Sequence, residues 1–181
     1  MPYTKAGHLL NPLRILLQSP KKMLDKLELK KDSTVLELGC GPGYFSIELA
    51  RAIPQGKLVL FDIQQEMLDM AKKRMENAKI INVEYLQGDA CVLPMKNREF
   101  DAVLMASVLG EISDRNACLQ EVIRVLRPGG LLAVTELKAG DPHAIKPSEI
   151  RQYTKEAGFI HHKIYRGLLQ STSVYVKSLW F

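Results

Sequence analysis

The sequence predicts an α/β domain built on a mostly parallel β-sheet. Short apolar runs alternate with amphipathic stretches along the 181 residues, a pattern typical of strands joined by right-handed helical crossovers. The first long apolar run leads into a glycine-rich loop and then a helical pattern, and the second ends in an aspartate. A chain of this length predicts one domain, with a core that needs no disulfide or metal for stability.

Hydrophobic periodicity places the elements in order along the chain. Strands are predicted at 34–38, 57–62, 82–87, 100–106, 130–137, 159–166 and 171–178. Helices are predicted at 43–53, 64–77, 114–126 and 147–157. Asp114 is a candidate N-cap of the third helix. Pro147 or Ser148 opens the fourth helix, and Gly158 ends it. The short turn at Gly167 predicts that the last two strands pair antiparallel.

The loop after the first strand carries the most informative pattern. Glu37 is followed by Gly39, Gly41 and Gly43, each separated by one residue. Glycines in such a loop can adopt positive φ and let the backbone approach a ligand closely. The second strand ends in Asp62, about 20 residues further on, where an acid can bind the two hydroxyls of a ribose. Together these features predict a cofactor that contains adenosine.

The loop departs from the dinucleotide-binding fingerprint G-x-G-x-x-G. Tyr44 stands where that fingerprint has its third glycine, which allows close helix–strand packing beside a pyrophosphate. The pattern E-x-G-x-G-x-G instead resembles motif I of the class I S-adenosylmethionine-dependent methyltransferases. Three further segments, at 85–90, 93–103 and 121–130, resemble later motifs of that family in order. The likeness covers roughly residues 30–140 and is strongest to the small-molecule group that includes ubiquinone/menaquinone methyltransferases.

The resemblance implies the rest of the architecture. It implies a Rossmann-like, seven-stranded sheet in the order 3-2-1-4-5-7-6, with helices on both faces and the last strand antiparallel. It also implies one methyltransferase domain over 31–181, and residues 1–30 are expected to form a helical cap over the cofactor or the substrate.

The resemblance further implies a set of cofactor contacts. These involve Glu37, Gly39, Gly41, Gly43, Asp62, Ile63, Asp89, Ala90 and Ser107. Glu37 would support the loop or the cofactor's ammonium group, and Asp62 would bind the ribose. Ile63 would pack on the adenine, while Asp89 and the backbone at Ala90 would contact its edge. Purely structural roles remain open for the three acids, as caps of nearby amides or as turn residues.

The residues that would act on the acceptor are less evident. The methyl group of a sulfonium is already activated, so orientation supplies most of the acceleration, and a base serves only an acceptor that loses a proton. Many small-molecule relatives carry a histidine at the position of Glu111, where a carboxylate could accept a proton or attract a cationic acceptor. His143, after the fifth strand, is a second candidate. The alternatives are a surface acid before a helix and a solvent-exposed histidine.

Composition limits the remaining classes. The formal charge is +5 and the pI about 9.1, but the lysines are interleaved with acids on predicted helices, so a nucleic-acid partner is disfavoured without being excluded. Three scattered cysteines predict neither a zinc site nor a disulfide framework and fit the reducing cytoplasm. No apolar run is long enough to predict a membrane span. We expect no metal, and a monomer or homodimer.

Several functions remain open beside methyl transfer to a small molecule. A non-catalytic S-adenosylmethionine-binding subunit or sensor would share the fold, because fold alone does not give activity. An RNA or protein methyltransferase would fit the basic charge. A nicotinamide oxidoreductase is disfavoured by Tyr44.

Overall fold

The structure is a computed structural model that describes residues 24, 27–137, 143–167 and 170–179. The strands are β1 (Thr34–Leu38), β2 (Lys57–Asp62), β3 (Val83–Gln87), β4 (Phe100–Ala106), β5 (Leu126–Leu137), β6 (Phe159–Arg166) and β7 (Gln170–Lys177). The helices in the described ranges are α1 (Ser46–Ala52), α2 (Gln65–Asn77), α3 (Arg115–Val125) and α4 (Pro147–Glu156). Most of the predicted cap at 1–30 lies outside the described residues.

The sheet confirms the predicted topology. Its seven strands run in the order β3-β2-β1-β4-β5-β7-β6. Strands β1 to β5 pair in parallel, and β7 pairs antiparallel with both β5 and β6. The carboxyl ends of the parallel strands therefore meet at one edge of the sheet, where open α/β sheets bind their ligands.

Both faces of the sheet are covered, because central strands alternate their side chains between two apolar layers. Leu36 and Leu38 of β1 belong to the layer that packs on α3 and α4. Val35 belongs to the opposite layer, which packs on α1 and α2. All three side chains are fully buried, and each contributes about 1.5–3 kcal/mol to folding by leaving water.

Two element boundaries differ by more than one residue from the sequence prediction. Helix α1 begins at Ser46 rather than at 43, because Gly41 and Gly43 have positive φ and cannot continue a right-handed helix. Strand β5 begins at Leu126, directly after α3, and takes in the predicted Arg-Pro-Gly-Gly turn through a break in register against β4.

The segment at 121–130 has a structural role at the opposite edge of the sheet. Arg124 donates to both carboxylate oxygens of Glu121, each at 2.7 Å. The same guanidinium donates to the carbonyls of Leu93 at 2.9 Å and Met95 at 2.8 Å. The bonds from Arg124 to Glu121 lower the pKa of the Glu121 carboxyl. The bonds to Leu93 and Met95 fix the segment that leads into β4. A strong part of the sequence resemblance thus reflects the scaffold rather than chemistry.

Candidate functional site

The glycine loop closes over the end of β2. The amides of Gly39 and Cys40 both donate to the carbonyl of Phe61, at 2.7 and 3.1 Å. Gly39, Gly41 and Gly43 have φ of +71°, +53° and +79°, which side chains of L-residues rarely tolerate. The predicted need for glycine is therefore present at all three positions.

The three glycines face different surroundings. A Cβ placed on Gly39 would lie 2.4 Å from a methyl group of Val108, and one on Gly43 would lie 3.2 Å from the Cβ of Ala71 in α2. A Cβ on Gly41 would meet no atom of the described residues within 4 Å. Gly39 and Gly43 therefore allow close packing inside the protein, whereas Gly41 borders space that no described residue occupies.

Asp62 holds the loop and still has capacity for a ligand. Its Oδ2 accepts from the amide of Gly41 at 2.8 Å, and its Oδ1 accepts from the amide of Gln64 at 3.0 Å. The residue is 7% exposed at the tip of β2. Each carboxylate oxygen can accept more than one hydrogen bond, so both can also accept ribose hydroxyls. The predicted ribose role and the alternative role as a cap are compatible.

Ile63 presents an apolar surface beside Asp62. Its side chain is 64% exposed, an unusual value for an isoleucine that follows a buried strand. Its carbonyl accepts from the Gln87 side chain at 3.1 Å, and the amide of Gly88 donates to the carbonyl of Asp62 at 3.1 Å. The tip of β3 thus fixes the backbone that presents Ile63, as packing on a flat adenine face requires.

Asp89 lies just past the end of β3 on the same edge. Its Oδ1 accepts from the amide of Cys91 at 2.8 Å, which is the turn role that the sequence left open. Asp89 itself is exposed, while Ala90 is half-buried against the core. The backbone around Ala90 is therefore held by a local turn at the place where an adenine edge is expected.

Glu37 is buried at the base of the loop. It is 2% exposed, and its Oε2 accepts from the hydroxyl of Ser46 at 2.6 Å. Burial raises the pKa of Glu37 to about 8, the Ser46 bond opposes this shift, and the nearby charge of Asp62 adds to it. Burial also raises the pKa of the Cys40 thiol, and the nearby charges of Glu37 and Asp62 add to this shift. A cationic ligand in the crevice would favour the ionised form of Glu37.

This raised pKa predicts a pH-dependent stability. Between 4.5 and about 8, the unfolded chain loses the Glu37 proton while the folded protein keeps it, so the free energy of unfolding falls as pH rises. Relative to Glu37→Gln, wild type should lose on the order of 3 kcal/mol between about pH 5.5 and 8. Urea unfolding of both proteins without cofactor measures the difference.

Glu121→Gln provides the control of opposite sign. Because the hydrogen bond from Arg124 lowers the pKa of Glu121, that contribution to stability is lost as pH falls instead. A wild-type curve parallel to that of Glu37→Gln would contradict a buried, protonated Glu37.

The loop after β4, residues 107–111, forms the other wall of the crevice. Ser107 has φ +57° and donates its amide to the carbonyl of Thr135 in β5 at 2.8 Å. The next residue, Val108, packs on Gly39. The amide of Glu111 donates to the carbonyl of Val108 at 2.9 Å, which closes a turn and leaves Glu111 exposed. Ser107 and Glu111 thus share the edge that carries the glycine loop.

His143 lies beside this wall. A Cβ placed on Gly110 would lie 1.8 Å from the carbonyl oxygen of His143, so only glycine lets the two loops touch. His143 is exposed. The structure therefore brings the two candidate catalytic residues, Glu111 and His143, onto adjoining loops.

Sequence reasoning missed one residue of this wall. Arg115, the first residue of α3, donates to the carbonyls of Leu109 and Gly110, each at 3.0 Å. Its position in the sequence could have indicated this role. The helix dipole disfavours a cation at a helix N-terminus, so an arginine there suggests that its side chain makes a contact elsewhere.

A cavity of about 360 Å³ lies elsewhere, lined in part by Asp32, Asp101 and Arg127. Asp32 precedes β1 and Asp101 is near the start of β4, so this cavity is at the amino ends of the strands. The cavity is therefore not part of the site at the carboxyl ends of the strands. Among the described residues, no helix is both long and apolar enough to cross a membrane.

Comparison with known proteins identifies the family. The family described as "Methyltransferase domain" matches residues 29–174. The ubiquinone/menaquinone biosynthesis C-methyltransferase UbiE of Escherichia coli is 36% identical over 115 residues, covering 62% of this chain and 46% of that protein. The chain thus spans less than half the length of this curated relative.

Solved structures agree. A SAM-dependent methyltransferase from Aquifex aeolicus superposes with a TM-score of 0.92 at 25% identity, covering 97% of this chain and 98% of that one. Phosphoethanolamine N-methyltransferase 2 of Haemonchus contortus, in complex with S-adenosylmethionine, gives 0.75 at 16% identity over 88% of this chain and 52% of that one. The chain belongs to the S-adenosylmethionine-dependent methyltransferase family, and S-adenosylmethionine is its cofactor.

Proposed function

We propose that this chain transfers the methyl group of S-adenosylmethionine to a small-molecule acceptor by in-line displacement. The observation that carries the proposal is the space in front of Gly41 that no described residue fills, bordered by the Asp62 carboxylate and the exposed Ile63. This arrangement offers a polar contact for a ribose beside an apolar surface for a base. The cofactor supplies a methyl group that is already activated on its sulfonium.

The remaining groups of the crevice divide the work of binding. Gly39, Gly41 and Gly43 give the loop the path that brings its backbone to the cofactor, most closely at Gly41, and Glu37 lies beneath them as a carboxylate for the cofactor's ammonium group. Asp89, held in a turn by the amide of Cys91, and the backbone at Ala90 would contact the adenine edge. Ser107 follows β4 and closes the site on the side of the glycine loop that faces away from β2.

Glu111 and His143 are the groups proposed to face the acceptor. Orientation of the acceptor and exclusion of water supply most of the rate, because no leaving group needs activation. Where the acceptor carries a proton, the Glu111 carboxylate accepts it, or His143 does so from the adjoining loop. Both residues are exposed, so an acceptor can reach them from solvent.

The comparisons support a small acceptor without naming it. The Escherichia coli relative is described as acting in ubiquinone/menaquinone biosynthesis, and the Haemonchus contortus protein as a phosphoethanolamine methyltransferase. We further propose that the chain is a monomer or homodimer in the cytoplasm. The free thiols of Cys40, Cys91 and Cys118 support this compartment, because a reducing environment favours them. Residues 31–181 would form the methyltransferase domain, with 1–30 as its cap.

Methyl-labelled S-adenosylmethionine, incubated with separate metabolite, RNA and protein fractions of a cell extract, tests the proposal. Label in a metabolite, identified by mass, supports it. Label in RNA or protein would move the function to the macromolecular class. Binding of S-adenosylmethionine without transfer to any fraction would favour the non-catalytic subunit or sensor.

The cofactor site has its own prediction. Asp62→Ala should weaken binding of S-adenosylhomocysteine by about 1.5–3 kcal/mol, the cost of losing hydrogen bonds to a charged group. Asp62→Asn, which keeps one acceptor oxygen, should give an intermediate loss. Calorimetry measures both affinities, and urea unfolding corrects for the lost bonds to Gly41 and Gln64. Unchanged affinity in Asp62→Ala, or tighter binding of NAD than of S-adenosylhomocysteine, would overturn the assignment.

A further inference from the structure

Arg115 makes two contacts with the loop after β4 and a third with α4. Its Nε donates to the carbonyl of Leu109 and its terminal nitrogen to the carbonyl of Gly110, each at 3.0 Å. Its guanidinium also lies over the ring of Tyr153 in α4, 5.7 Å from the ring centroid. The planar fork of arginine spans two adjacent carbonyls in a way that the single ammonium of lysine cannot reproduce.

The carbonyls held by Arg115 belong to the part of the loop that touches the rest of the crevice. Val108, immediately before them, packs on Gly39 of the glycine loop. Gly110 itself contacts the backbone of His143. Glu111 follows directly. A change in the path of 109–110 would therefore move the acceptor side while leaving Asp62 and Ile63 in place.

The side chain of Arg115 does not cap the helix that it begins. The N-cap of α3 is Asp114, which accepts from the amide of Ala117 at 2.9 Å. A cation at the first helical position is disfavoured by the helix dipole, and its side chain turns back to the preceding loop instead. The contacts thus serve the loop.

We propose that Arg115 is a positioning residue that fixes the acceptor-side loop, residues 107–111, against the glycine loop. The proposal rests on the proposed function for its catalytic meaning, but the fixing of the loop can be measured without any acceptor. Arg115 contacts backbone carbonyls and a tyrosine ring, so it acts through the loop rather than on the reacting groups.

Amide hydrogen exchange of the full chain with S-adenosylhomocysteine bound tests the first part. In Arg115→Met, the amides of 107–112 should exchange at least about 10-fold faster than in wild type, since local opening follows the loss of local bonds. Arg124→Met is the matched control. It removes another guanidinium of the same helix, which donates to the carbonyls of Leu93 and Met95. Amide exchange should therefore become faster at 93–99 and stay unchanged at 107–112.

Turnover tests the second part, once a labelled product is known. Arg115→Lys should lower kcat by about 10–100-fold, the effect of misplacing a reacting group by a fraction of an ångström or more. Its dissociation constant for S-adenosylhomocysteine should stay within about twofold of wild type. Arg124→Lys should lower the melting temperature by a similar amount and keep its kcat. A merely structural role of Arg115 would give the two variants the same kcat.

The outcomes separate the two proposals. Unchanged exchange at 107–112 in folded Arg115→Met or Arg115→Lys overturns the role of Arg115, whatever the activity. Faster exchange with unchanged kcat also overturns it as a positioning residue. If wild type labels no fraction at all, the proposed function fails, while the exchange result still decides whether Arg115 fixes the loop.

Discussion

Replacing Gly41 with valine is expected to abolish cofactor binding in a protein that still unfolds cooperatively. Gly41 has φ +53°, a conformation that a β-branched residue strongly disfavours. A Cβ at this position meets no atom of the described residues within 4 Å, so the valine methyl groups would enter the space in front of the loop. The loss of binding should therefore have two causes. The valine side chain would occupy the space of the cofactor, and it would displace the Gly41 amide, which in wild type donates to Asp62.

Gly43→Val is the matched control for this prediction. It places the same side chain at a similar φ of +79°, but its Cβ would press on Ala71 at 3.2 Å. Gly43→Val should therefore lower the free energy of unfolding more than Gly41→Val does, because it disturbs the packing of α2. Calorimetry with S-adenosylhomocysteine and thermal unfolding of both variants make the comparison. Normal affinity in a folded Gly41→Val protein would contradict the position of the cofactor.

The sequence was sufficient for the elements because each carries a strong local signal. Asp114 has the side chain and the position of an N-cap, and it caps α3 in the structure. The strand order followed from the resemblance, and the sheet confirms it. The start of β5 was wrong because the Arg-Pro-Gly-Gly segment has the composition of a turn. In the structure that segment runs along β4 through a break in register.

The site was less accessible to sequence because its contacts are distant along the chain. The three loop glycines look equivalent in the sequence, yet Gly39 meets Val108, Gly43 meets Ala71 and Gly41 meets none of the described side chains. Similarly, nothing in the sequence shows that Glu37 is buried beside Ser46 and keeps its proton. Packing decides both features, and packing is a property of the folded chain.

Glu111→Gln carries the second large expected effect, a fall in kcat of about 10²–10⁴-fold with cofactor affinity nearly intact. Glu111 is exposed on the loop after β4, at the edge of the sheet where ligands of α/β folds bind. Its amide is fixed by the carbonyl of Val108. Glutamine keeps the size and polarity of the side chain but cannot accept a proton at neutral pH, so the variant isolates the function of a base.

The alternative role of Glu111 is that of an acid favoured by the dipole of α3, and the structure makes this alternative measurable. Asp114, not Glu111, is the N-cap of that helix. Asp114→Ala should therefore cost about 0.5–2 kcal/mol of stability with little change in kcat. Glu111→Gln should show the reverse pattern, a large fall in kcat with a smaller loss of stability than Asp114→Ala, because dipole effects fade beyond the first turn. A Glu111→Gln variant that loses stability and keeps its kcat would assign the base to another group, with His143 on the adjoining loop as the next to test.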